Sequence, residues 1–456
     1  MKTEIRRLPF YKEAADIFTM YRNREMAVFL DSALENQLGR YSVIGLYPYL
    51  VLKEENGICY RNGEKQPESF EKILDEELQK RKEENPTALP LTGGAIGYFS
   101  YDYGRKFEQI HTRHLKKIRM PEAMFVFYDV LIIEDKKEQE LYLTAQGETD
   151  DAKKLLDQVE QEIFYCEHQQ KPARQYQLAE FTPNFEKEEY KQTVQRMIDY
   201  IVEGDIYIAN MTQQLTVDSD KDPYEVYRYL RTHNPAPFAG YFNYGSFQVV
   251  GASMERFLQV RDGVIETRPI KGTRKRGSTP QEDAALRKEL QESSKDRSEL
   301  LMIVDLERND LNHVCEPGSV QVTEHFAVEA YATVFHLVTT IIGKMKENLP
   351  FTDLIRAAFP GGSITGAPKI RAMEIIDELE HDRRGLYTGS MGYISLDGNC
   401  DFNIVIRTAV HQDGVYHLGV GGGITCESEL EFEYEETLQK AKAVLEAIYD
   451  GRNITC

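Results

Sequence analysis

The 456-residue chain has a shortage of positive charge, and this shortage narrows the range of its partners. Asp and Glu number 75 against 55 Lys and Arg, which gives a formal net charge of −20. Such a surface repels the phosphate backbone of nucleic acids and the headgroups of anionic lipids. We therefore predict that the chain binds neither nucleic acid nor membranes. An anionic substrate would need a locally cationic or metal-containing site.

Cysteine is sparse, and long apolar runs are missing. The most apolar stretch, residues 123–133, is interrupted by Asp129 and is too short to span a bilayer. Residues 1–7 lack the apolar core of a signal peptide. The cysteines follow neither metal-ligand spacing nor a small-domain disulfide pattern, so we expect reduced thiols and a cytoplasmic protein. The six cysteines are Cys59, Cys166, Cys315, Cys400, Cys426 and Cys456.

Length and composition are those of an ordinary globular protein. Hydrophobic residues make up 41% of the chain and charged residues 29%, and the length suffices for two or three domains or one composite core. Residues 1–167 show mixed strand and helix patterns, and residues 183–456 alternate strands with helices. Between them, residues 168–182 have the aperiodic polar sequence of a linker or a surface crossover. We predict two halves joined there, with the alternative that their strands pair in one core.

Residue periodicity predicts several local elements. Apolar residues at helical spacing from Tyr190 to Ile201, with Gly204 at the C-cap position, predict a helix. The other predicted helices cover 68–81 and 150–167, and the predicted strands cover 40–45, 49–53, 93–101 and a hairpin of 124–133 with 140–144.

Lys271 lies in a tight segment, residues 268–274 (RPIKGTR), directly after an alternating run at 264–267. The proline before it fixes the backbone and the glycine after it permits a bend, so the ammonium is aimed in one direction. A lysine held in this way acts as a nucleophile where burial or a nearby cation lowers its pKa. The alternative is an exposed cation in a basic loop, since residues 274–276 are all basic.

Glu255 precedes Lys271 by the interval that a strand, a turn at 261–263 and a returning strand would occupy. The two side chains could therefore meet across a hairpin. A glutamic acid facing a lysine is suited to act as a general acid beside a nucleophile. An ordinary cross-strand ion pair is the alternative.

Two predicted helices carry carboxylates at a spacing of three residues. Asp296 and Glu299 begin one helix, while Glu433 and Glu436 lie on the C-terminal helix with Lys440 one turn beyond. Two such pairs form an oxygen-rich site suited to Mg²⁺, although each pair alone is typical of a solvated helix face. A Mg²⁺ ion would supply the positive charge that an anionic ligand requires in an acidic protein.

A glycine-rich segment, residues 360–369 (PGGSITGAPK), precedes a predicted helix that continues to residue 380. Thr365 is the predicted N-cap of this helix, and free backbone N–H groups at a helix N-terminus bind anions. The spacing of its glycines and lysine differs from that of a Walker motif. Other residues extend this segment to a candidate anion-binding set, although a lone histidine is more often structural. The added residues are His336, Arg407, Gly421, Gly422 and Gly423.

Together these segments resemble the chorismate-utilising enzymes, and most closely the members that aminate chorismate on the route to 4-aminobenzoate. The resemblance covers most of the chain and implies an α+β fold of large packed β-sheets flanked by helices, like that of anthranilate synthase component I. It also implies a regulatory N-terminal half and one active site in the second half. The matching segments are 204–207 (GDIY), 253–257 (SMERF), 269–273 (PIKGT), 305–310 (DLERND), 360–369, 421–424 (GGGI) and 433–437 (EYEET).

The resemblance implies roles for the residues described above. Glu255 matches the general acid that protonates the departing C4 hydroxyl, and Lys271 matches the lysine that attacks C2 to form a covalent intermediate. Anthranilate synthases, the alternative within the family, carry a small residue in place of that lysine. The positions matching the surroundings of Mg²⁺ are Asp296, Glu299, Glu433 and Glu436. The positions matching substrate contacts are His336, Thr365, Arg407, Gly421, Gly422, Gly423 and Lys440.

Two further features follow from the resemblance. Ile208 occupies a place where amidating relatives usually carry glutamine and water-using relatives carry lysine, and an aliphatic side chain cannot deprotonate water. Relatives hold tryptophan in the N-terminal half; the positions matching that amino-acid pocket are Asp31, Ser32, Tyr41 and Pro235.

No cysteine lies in a glutaminase-like nucleophile motif, so the resemblance implies a separate glutamine amidotransferase subunit that delivers ammonia. The alternative outside enzymes is an amino-acid-binding regulatory protein with a decayed active site.

Overall fold

The computed structural model describes residues 3–166, 180–331 and 334–449. Within these ranges the strands are β1 (Glu4–Arg7), β2 (Val28–Asp31), β3 (Tyr41–Glu55), β4 (Ile58–Arg61), β5 (Glu64–Lys65), β6 (Gly94–Phe99), β7 (Ala123–Asp135), β8 (Glu140–Ala145), β9 (Thr182–Pro183), β10 (Ile208–Asp218), β11 (Phe238–Asn243), β12 (Gln248–Ser253), β13 (Arg256–Arg261), β14 (Val264–Thr267), β15 (Ile270–Lys275), β16 (Gln321–Ala330), β17 (Val334–Lys344), β18 (Gly366–Ala367), β19 (Ser390–Ser395), β20 (Cys400–Asn403), β21 (Thr408–Gln412) and β22 (Val415–Ile424). The α-helices are α1 (Ala14–Tyr21), α2 (Phe70–Lys80), α3 (Ala152–Phe164), α4 (Lys187–Glu203), α5 (Pro223–His233), α6 (Pro280–Glu292), α7 (Ser294–Val314), α8 (Phe351–Ala358), α9 (Lys369–Leu379) and α10 (Leu430–Ile448).

Two antiparallel sheets share the long strands β3 and β7. The first sheet runs β1, β8, β7, β3, β2, β11, β12, β21, β22 and β10. The second continues from the other ends of β3 and β7 through β6, β19, β20, β13 and β14 to β17, which also pairs with β15 and β16. The predicted α+β class with large sheets and flanking helices is confirmed.

Strands from the two sequence halves pair with one another. Strand β2 of the first half pairs with β11 of the second, and β6 pairs with β19. The described residues thus form a composite core, which is the alternative that the sequence left open. Most of the predicted linker at 168–182 lies outside the described residues, and the division at that point stays a prediction.

Apolar side chains fill the space between the sheets and cover their outer faces. One buried cluster contains Val43, Tyr98, Phe242 and Met391 from strands of both sheets, and so lies between them. A second joins the first sheet to α1, α3, α5 and α10, and a third joins the second sheet to α2, α7 and α8. Helices therefore flank a pair of packed sheets. None of the helices within the described ranges combines the length and apolar character needed to cross a membrane.

Most local predictions are confirmed. The helix from Tyr190 onward is α4, and Gly204 ends it at φ +89°. The predicted hairpin is β7 with β8, and the strands predicted at 40–45 and 49–53 form one strand, β3. The five cysteines in the described ranges are free thiols.

A buried ion pair joins β10 to the glycine-rich segment. Arg384 donates to the Glu380 carboxylate at 2.7 Å and to the carbonyls of Asn210 and Ile364 at 2.6 and 2.8 Å. The side chains of Arg384 and Glu380 are 1% and 3% exposed. Removal of one partner would leave a buried, uncompensated charge.

We expect Arg384→Met to lower the free energy of unfolding by about 3–5 kcal/mol, measured by urea denaturation. The control is Arg371→Met, because the pair of Arg371 with Asp205 is partly open to solvent and its loss should change stability by less than about 1 kcal/mol. Equal effects of the two substitutions would contradict this prediction.

Candidate active site

The β13–β14 hairpin brings Glu255 towards the strand that carries Lys271. Glu255 directly precedes β13, and the hairpin pairs Gln259 with Glu266 as the sequence predicted. Lys271 lies one strand further on, in β15, where it pairs with Leu337 of β17. The chain leaves β14 at the proline before Lys271, so the lysine belongs to a third strand and not to the hairpin itself.

The Lys271 side chain points into the protein. Its Nζ donates to the carbonyl of Ser363 at 3.0 Å, and it would lie 3.2 Å from a Cβ placed on Gly423. Burial lowers the pKa of Lys271 below the ordinary value, and the carboxylates of Glu299 and Glu255 oppose this shift without cancelling it. At a given pH, this environment leaves a larger fraction of the amine uncharged than in an exposed lysine, and the uncharged amine is the nucleophilic form.

Glu255 is buried beside the same loop. Burial raises the pKa of the Glu255 carboxyl, while a hydrogen bond with Ser363 and the charge of Lys271 act in the opposite direction. The net shift is upward, so the protonated form persists to a higher pH than in an exposed glutamate. A protonated carboxyl next to an amine can deliver a proton while the amine attacks.

The two carboxylate pairs lie on facing helices. Ser293 caps α7 by accepting from the Asp296 amide at 3.3 Å, which fixes the turn that carries Asp296 and Glu299. Burial raises the pKa of Glu299, and the charges of Asp296 and Glu436 raise it further. Burial and the Glu436 charge likewise raise the pKa of Glu433. Carboxylates from α7 and α10 therefore repel each other across one site.

Gly422 lies against the α10 carboxylates. A Cβ on Gly422 would meet Glu436 Oε2 at 2.7 Å and Glu433 Oε2 at 3.2 Å. Gly272, at φ +76°, is similarly close to Asp296, whose Cγ would lie 2.8 Å from an added Cβ. Glycine at these positions lets the acidic side chains approach the strands that carry Lys271 and the glycine cluster.

The donor set fits Mg²⁺ in chemistry, because four carboxylates supply the hard oxygen ligands that this ion prefers. Two of them are paired with protein cations: Asp296 Oδ2 with Arg274 at 3.0 Å and Glu436 Oε2 with Lys440 at 2.7 Å. In the described part of the chain, no group of three or more acidic, histidine or cysteine side chains is already arranged to hold a metal ion. Metal binding would require Asp296 or Glu436 to exchange its protein partner for the ion.

His336 is buried, and Arg407 is partly buried, beside the cluster formed by these four carboxylates. Thr273 Oγ1 lies 3.0 Å from His336 Nδ1, while His336 Nε2 is buried without a hydrogen-bond partner among the described residues. Burial, together with the charge of Arg407, lowers the pKa of His336 to about 4, so the imidazole is neutral at pH 7. Arg407, at φ +51°, donates from Nη1 to the carbonyl of Lys440. An unpaired ring nitrogen and a guanidinium can both bind an oxygen-rich ligand.

Residues 421–423 lie in β22 and pair with β10. Lys440 Nζ donates to Gly421 O at 2.9 Å, so the peptide groups of Gly421 turn away from β10, and the alternation of an antiparallel ladder places those of Gly423 on the same side. Gly422 instead faces Met211 of β10. The backbone amides of Gly421 and Gly423, but not that of Gly422, are therefore turned away from the ladder.

The prediction that Thr365 caps a helix is wrong. Helix α9 begins at Lys369, its N-cap is Pro368, and that residue makes no side-chain cap. The Thr365 hydroxyl instead donates to Gly361 O at 2.9 Å and closes the glycine-rich loop on itself. The loop is held beside β10 by the pairing of β18 with β10, and in this position the nearest acceptor for the Thr365 hydroxyl is Gly361 O.

Two residues near the cluster were not singled out from sequence. Ser363 contacts both Lys271 and Glu255, and Thr273 contacts His336. Ser363 lies in the glycine-rich segment 360–369, and Thr273 lies in the segment 268–274 that carries Lys271. Their positions in these motifs could have marked them as candidate site residues.

The predicted amino-acid pocket is held together by internal contacts. The buried Asp31 carboxylate accepts from Ser42 at 3.0 Å, Tyr227 at 2.6 Å and Arg231 at 3.0 Å, and Lys136 Nζ lies 3.5 Å away. These contacts fill the four acceptor positions of a carboxylate. A free amino acid would have to displace one of these four donors to bind Asp31.

Ser32 also makes internal contacts. The Ser32 hydroxyl donates to the carbonyl of Tyr41 at 2.6 Å and lies 3.4 Å from the carbonyl of Pro237, two residues after Pro235 in the sequence. Amino-acid binding at this place stays a prediction.

Known proteins resemble the chain over nearly its whole length. A family model described as chorismate binding enzyme matches residues 28–446. Aminodeoxychorismate synthase component 1 of Klebsiella aerogenes is 42% identical over 359 residues, covering 78% of this chain and 77% of that protein. The protein of the same name from Bacillus subtilis (strain 168) is 35% identical, covering 97% and 96%. Anthranilate synthase component I from Streptococcus pneumoniae TIGR4 has a TM-score of 0.81 at 31% identity, covering 90% and 93%. The chain belongs to the family of chorismate-binding enzymes.

Proposed function

We propose that the enzyme aminates chorismate at C4 to give 4-amino-4-deoxychorismate. The observation that carries this proposal is the position of Lys271, whose Nζ lies inside the cluster and 3.0 Å from Ser363 O. Relatives named aminodeoxychorismate synthase component 1 support it. Anthranilate synthases, by the family resemblance, have a small residue at this position and no amine to form a covalent intermediate.

The reaction divides one substitution into two steps. The uncharged Lys271 amine attacks C2 of the ring, the two conjugated ring double bonds shift towards C4, and the C4–O bond breaks. Glu255 gives its proton to the departing oxygen, which leaves as water. Ammonia then attacks C4, both double bonds return to their original places, and the C2–N bond to Lys271 breaks. The lysine is regenerated, and Glu255 recovers a proton from the added ammonia or from solvent.

Residues around the ring hold the substrate and exclude water. Arg407, Lys440 and the neutral His336 offer donors for the chorismate carboxylates and hydroxyl. Ile208 is buried in β10. A Cβ placed on Gly423 would lie 3.5 Å from Ile208 Cδ1 and 3.2 Å from Lys271 Nζ, so the isoleucine side chain lies beside the amine. The aliphatic side chain beside the amine cannot deprotonate a water molecule, and this favours amination over hydration.

Asp296, Glu299, Glu433 and Glu436 would hold Mg²⁺. A bound Mg²⁺ would neutralise the ring carboxylate and orient it. The repulsion between the carboxylates of α7 and α10 would then be relieved in the loaded enzyme.

We expect a chelator to abolish amination and added Mg²⁺ to restore it. Mg²⁺ should also raise the melting temperature of the wild-type protein, because binding to the folded state alone stabilises it. The same titration on Glu433→Gln should give a smaller rise, while Glu435→Gln, an exposed neighbour on α10, should behave as wild type. An unchanged rise in Glu433→Gln would contradict this metal site.

Ammonia would come from a separate subunit. The relatives above are named as component 1, and we propose that a glutamine amidotransferase is the other component here. Ammonium salts should replace that subunit in vitro, and a lyase should be needed to convert the product to 4-aminobenzoate.

The assay incubates the protein with chorismate, Mg²⁺ and ammonium. We expect a product that becomes 4-aminobenzoate only when the lyase is added. Fluorescent anthranilate formed without a lyase would instead identify an anthranilate synthase. Chorismate binding without turnover would favour a regulatory protein with a decayed site.

A further inference from the structure

Glu307 is a buried carboxyl that the proposed reaction does not use. It lies in α7, on the same face as Asp296 because the two are separated by three helical turns. The residue is 8% exposed, and its Cγ would lie 3.5 Å from a Cβ placed on Gly362. Glu307 therefore sits beneath the loop whose next residue, Ser363, contacts Lys271 and Glu255.

The two contacts of the Thr267 hydroxyl are both satisfied as hydrogen bonds when the Glu307 carboxyl carries a proton. Thr267 Oγ1 lies 2.7 Å from the carbonyl oxygen of Phe257 and 2.9 Å from Glu307 Oε2. A hydroxyl has one proton, and a carbonyl oxygen can only accept. If Thr267 donates to Phe257, the second contact is a hydrogen bond only when Glu307 is the donor. An ionised Glu307 would leave one buried acceptor unsatisfied, which is costly.

The charges that face Glu307 also favour the neutral form. The carboxyls of Glu255 and Asp310 lie near it, and the cation in its surroundings is Lys369 of α9. Lys369 Nζ is engaged by Asp310 Oδ2 at 2.6 Å and by the carbonyl of Ala358 at 3.1 Å. Burial is the largest influence, and it raises the pKa of Glu307 from 4.5 to about 8.

We propose that Glu307 is a positioning residue, held as a neutral carboxylic acid, which donates its proton to Thr267 and spares Glu255 a second buried negative charge. In the proposed reaction Glu255 becomes a carboxylate when it protonates the leaving oxygen. A charged Glu307 would oppose that change, whereas a neutral one does not. The kinetic part of this inference rests on the proposed role of Glu255, but the protonation of Glu307 does not.

Thermal unfolding tests the protonation without substrate. Between pH 4.5 and about 8 an unfolded chain ionises Glu307 while the folded protein keeps its proton, so the folded state loses stability as pH rises. We expect the melting temperature of the wild type to fall relative to Glu307→Gln across this range. Asp305→Asn, on the exposed face of α7, should show no such trend. A pH-independent difference would overturn the neutral carboxyl, whatever product the enzyme forms.

Infrared spectroscopy provides a second test on folded protein. At pH 7 the wild type should show the C=O stretch of a buried protonated carboxyl that is absent from Glu307→Gln and is lost as pH rises through about 8. If Glu307→Gln does not fold, Thr267→Val serves instead, because loss of the acceptor should shift this band. A band unaffected by both substitutions would overturn the proposal.

Kinetics test the positioning role. Glu307→Gln keeps a neutral donor and should change kcat at pH 7 by less than about threefold. Glu307→Leu should lower kcat at pH 7 by about tenfold, because it removes one hydrogen bond. Ionisation of Glu307 near pH 8 should add its own decrease to the wild-type kcat, and this decrease should be absent from Glu307→Gln, whereas the decrease caused by ionisation of Glu255 should remain. A kcat–pH profile of Glu307→Gln identical to that of the wild type would overturn the role of Glu307 in sparing Glu255.

Discussion

Replacing Lys271 with alanine should reduce the formation of 4-amino-4-deoxychorismate by about 10³-fold or more. The substitution removes the amine that the proposed covalent step requires, and no other amine lies against both Ser363 and Gly423 among the described residues. Ammonia added directly to the ring would then have to perform a substitution in one difficult step. Product analysis by chromatography should also show anthranilate, the product of relatives with a small residue at this position.

The control for Lys271→Ala is Lys275→Ala. Lys275 lies on the same strand, β15, but is exposed at its end, so its loss should leave kcat and the product unchanged. If Lys271→Ala kept both the rate and the product of the wild type, the covalent role of Lys271 would be wrong.

Replacing Glu255 with glutamine should lower kcat by about 10²- to 10⁴-fold, the range expected when a general acid is lost. Glutamine preserves the size of the side chain and cannot deliver a proton to the departing C4 oxygen. The dissociation constant for chorismate should change little, because Glu255 acts on the leaving group and not on a carboxylate of the substrate.

The pH dependence gives Glu255 a distinct signature. Its raised pKa means that the wild type loses rate as pH rises and the carboxyl ionises, and Glu255→Gln should lack that loss. Glu266→Gln is the matched control, since Glu266 lies on the next strand and pairs with Arg256 outside the cluster. A Glu255→Gln enzyme with wild-type kcat and an unchanged pH profile would exclude Glu255 as the acid.

Sequence patterns predicted the parts of the site that depend on local geometry. The spacing of Glu433 and Glu436 places both on one face of α10 because a helix repeats every 3.6 residues, and Lys440 follows by the same rule. The β13–β14 hairpin also followed from alternation and a turn. These features need only neighbours in the chain.

Features that depend on distant residues were not predictable in this way. The pairing of β2 with β11 and of β6 with β19 joins residues far apart in the sequence, and no local signal specifies it. Glu307 belongs to a charged helical segment that resembles a solvated face, and only the packing of the Gly362 loop buries it. Thr365 has the sequence context of an N-cap, yet its hydroxyl donates to the carbonyl of Gly361.

Mass spectrometry of the protein quenched with chorismate and Mg²⁺ in the absence of ammonia would detect the covalent intermediate itself. We predict an adduct of chorismate less one water on the peptide that contains Lys271, which disappears when ammonium is added before the quench. Absence of any adduct on Lys271 under conditions where added ammonium yields 4-amino-4-deoxychorismate would contradict this prediction.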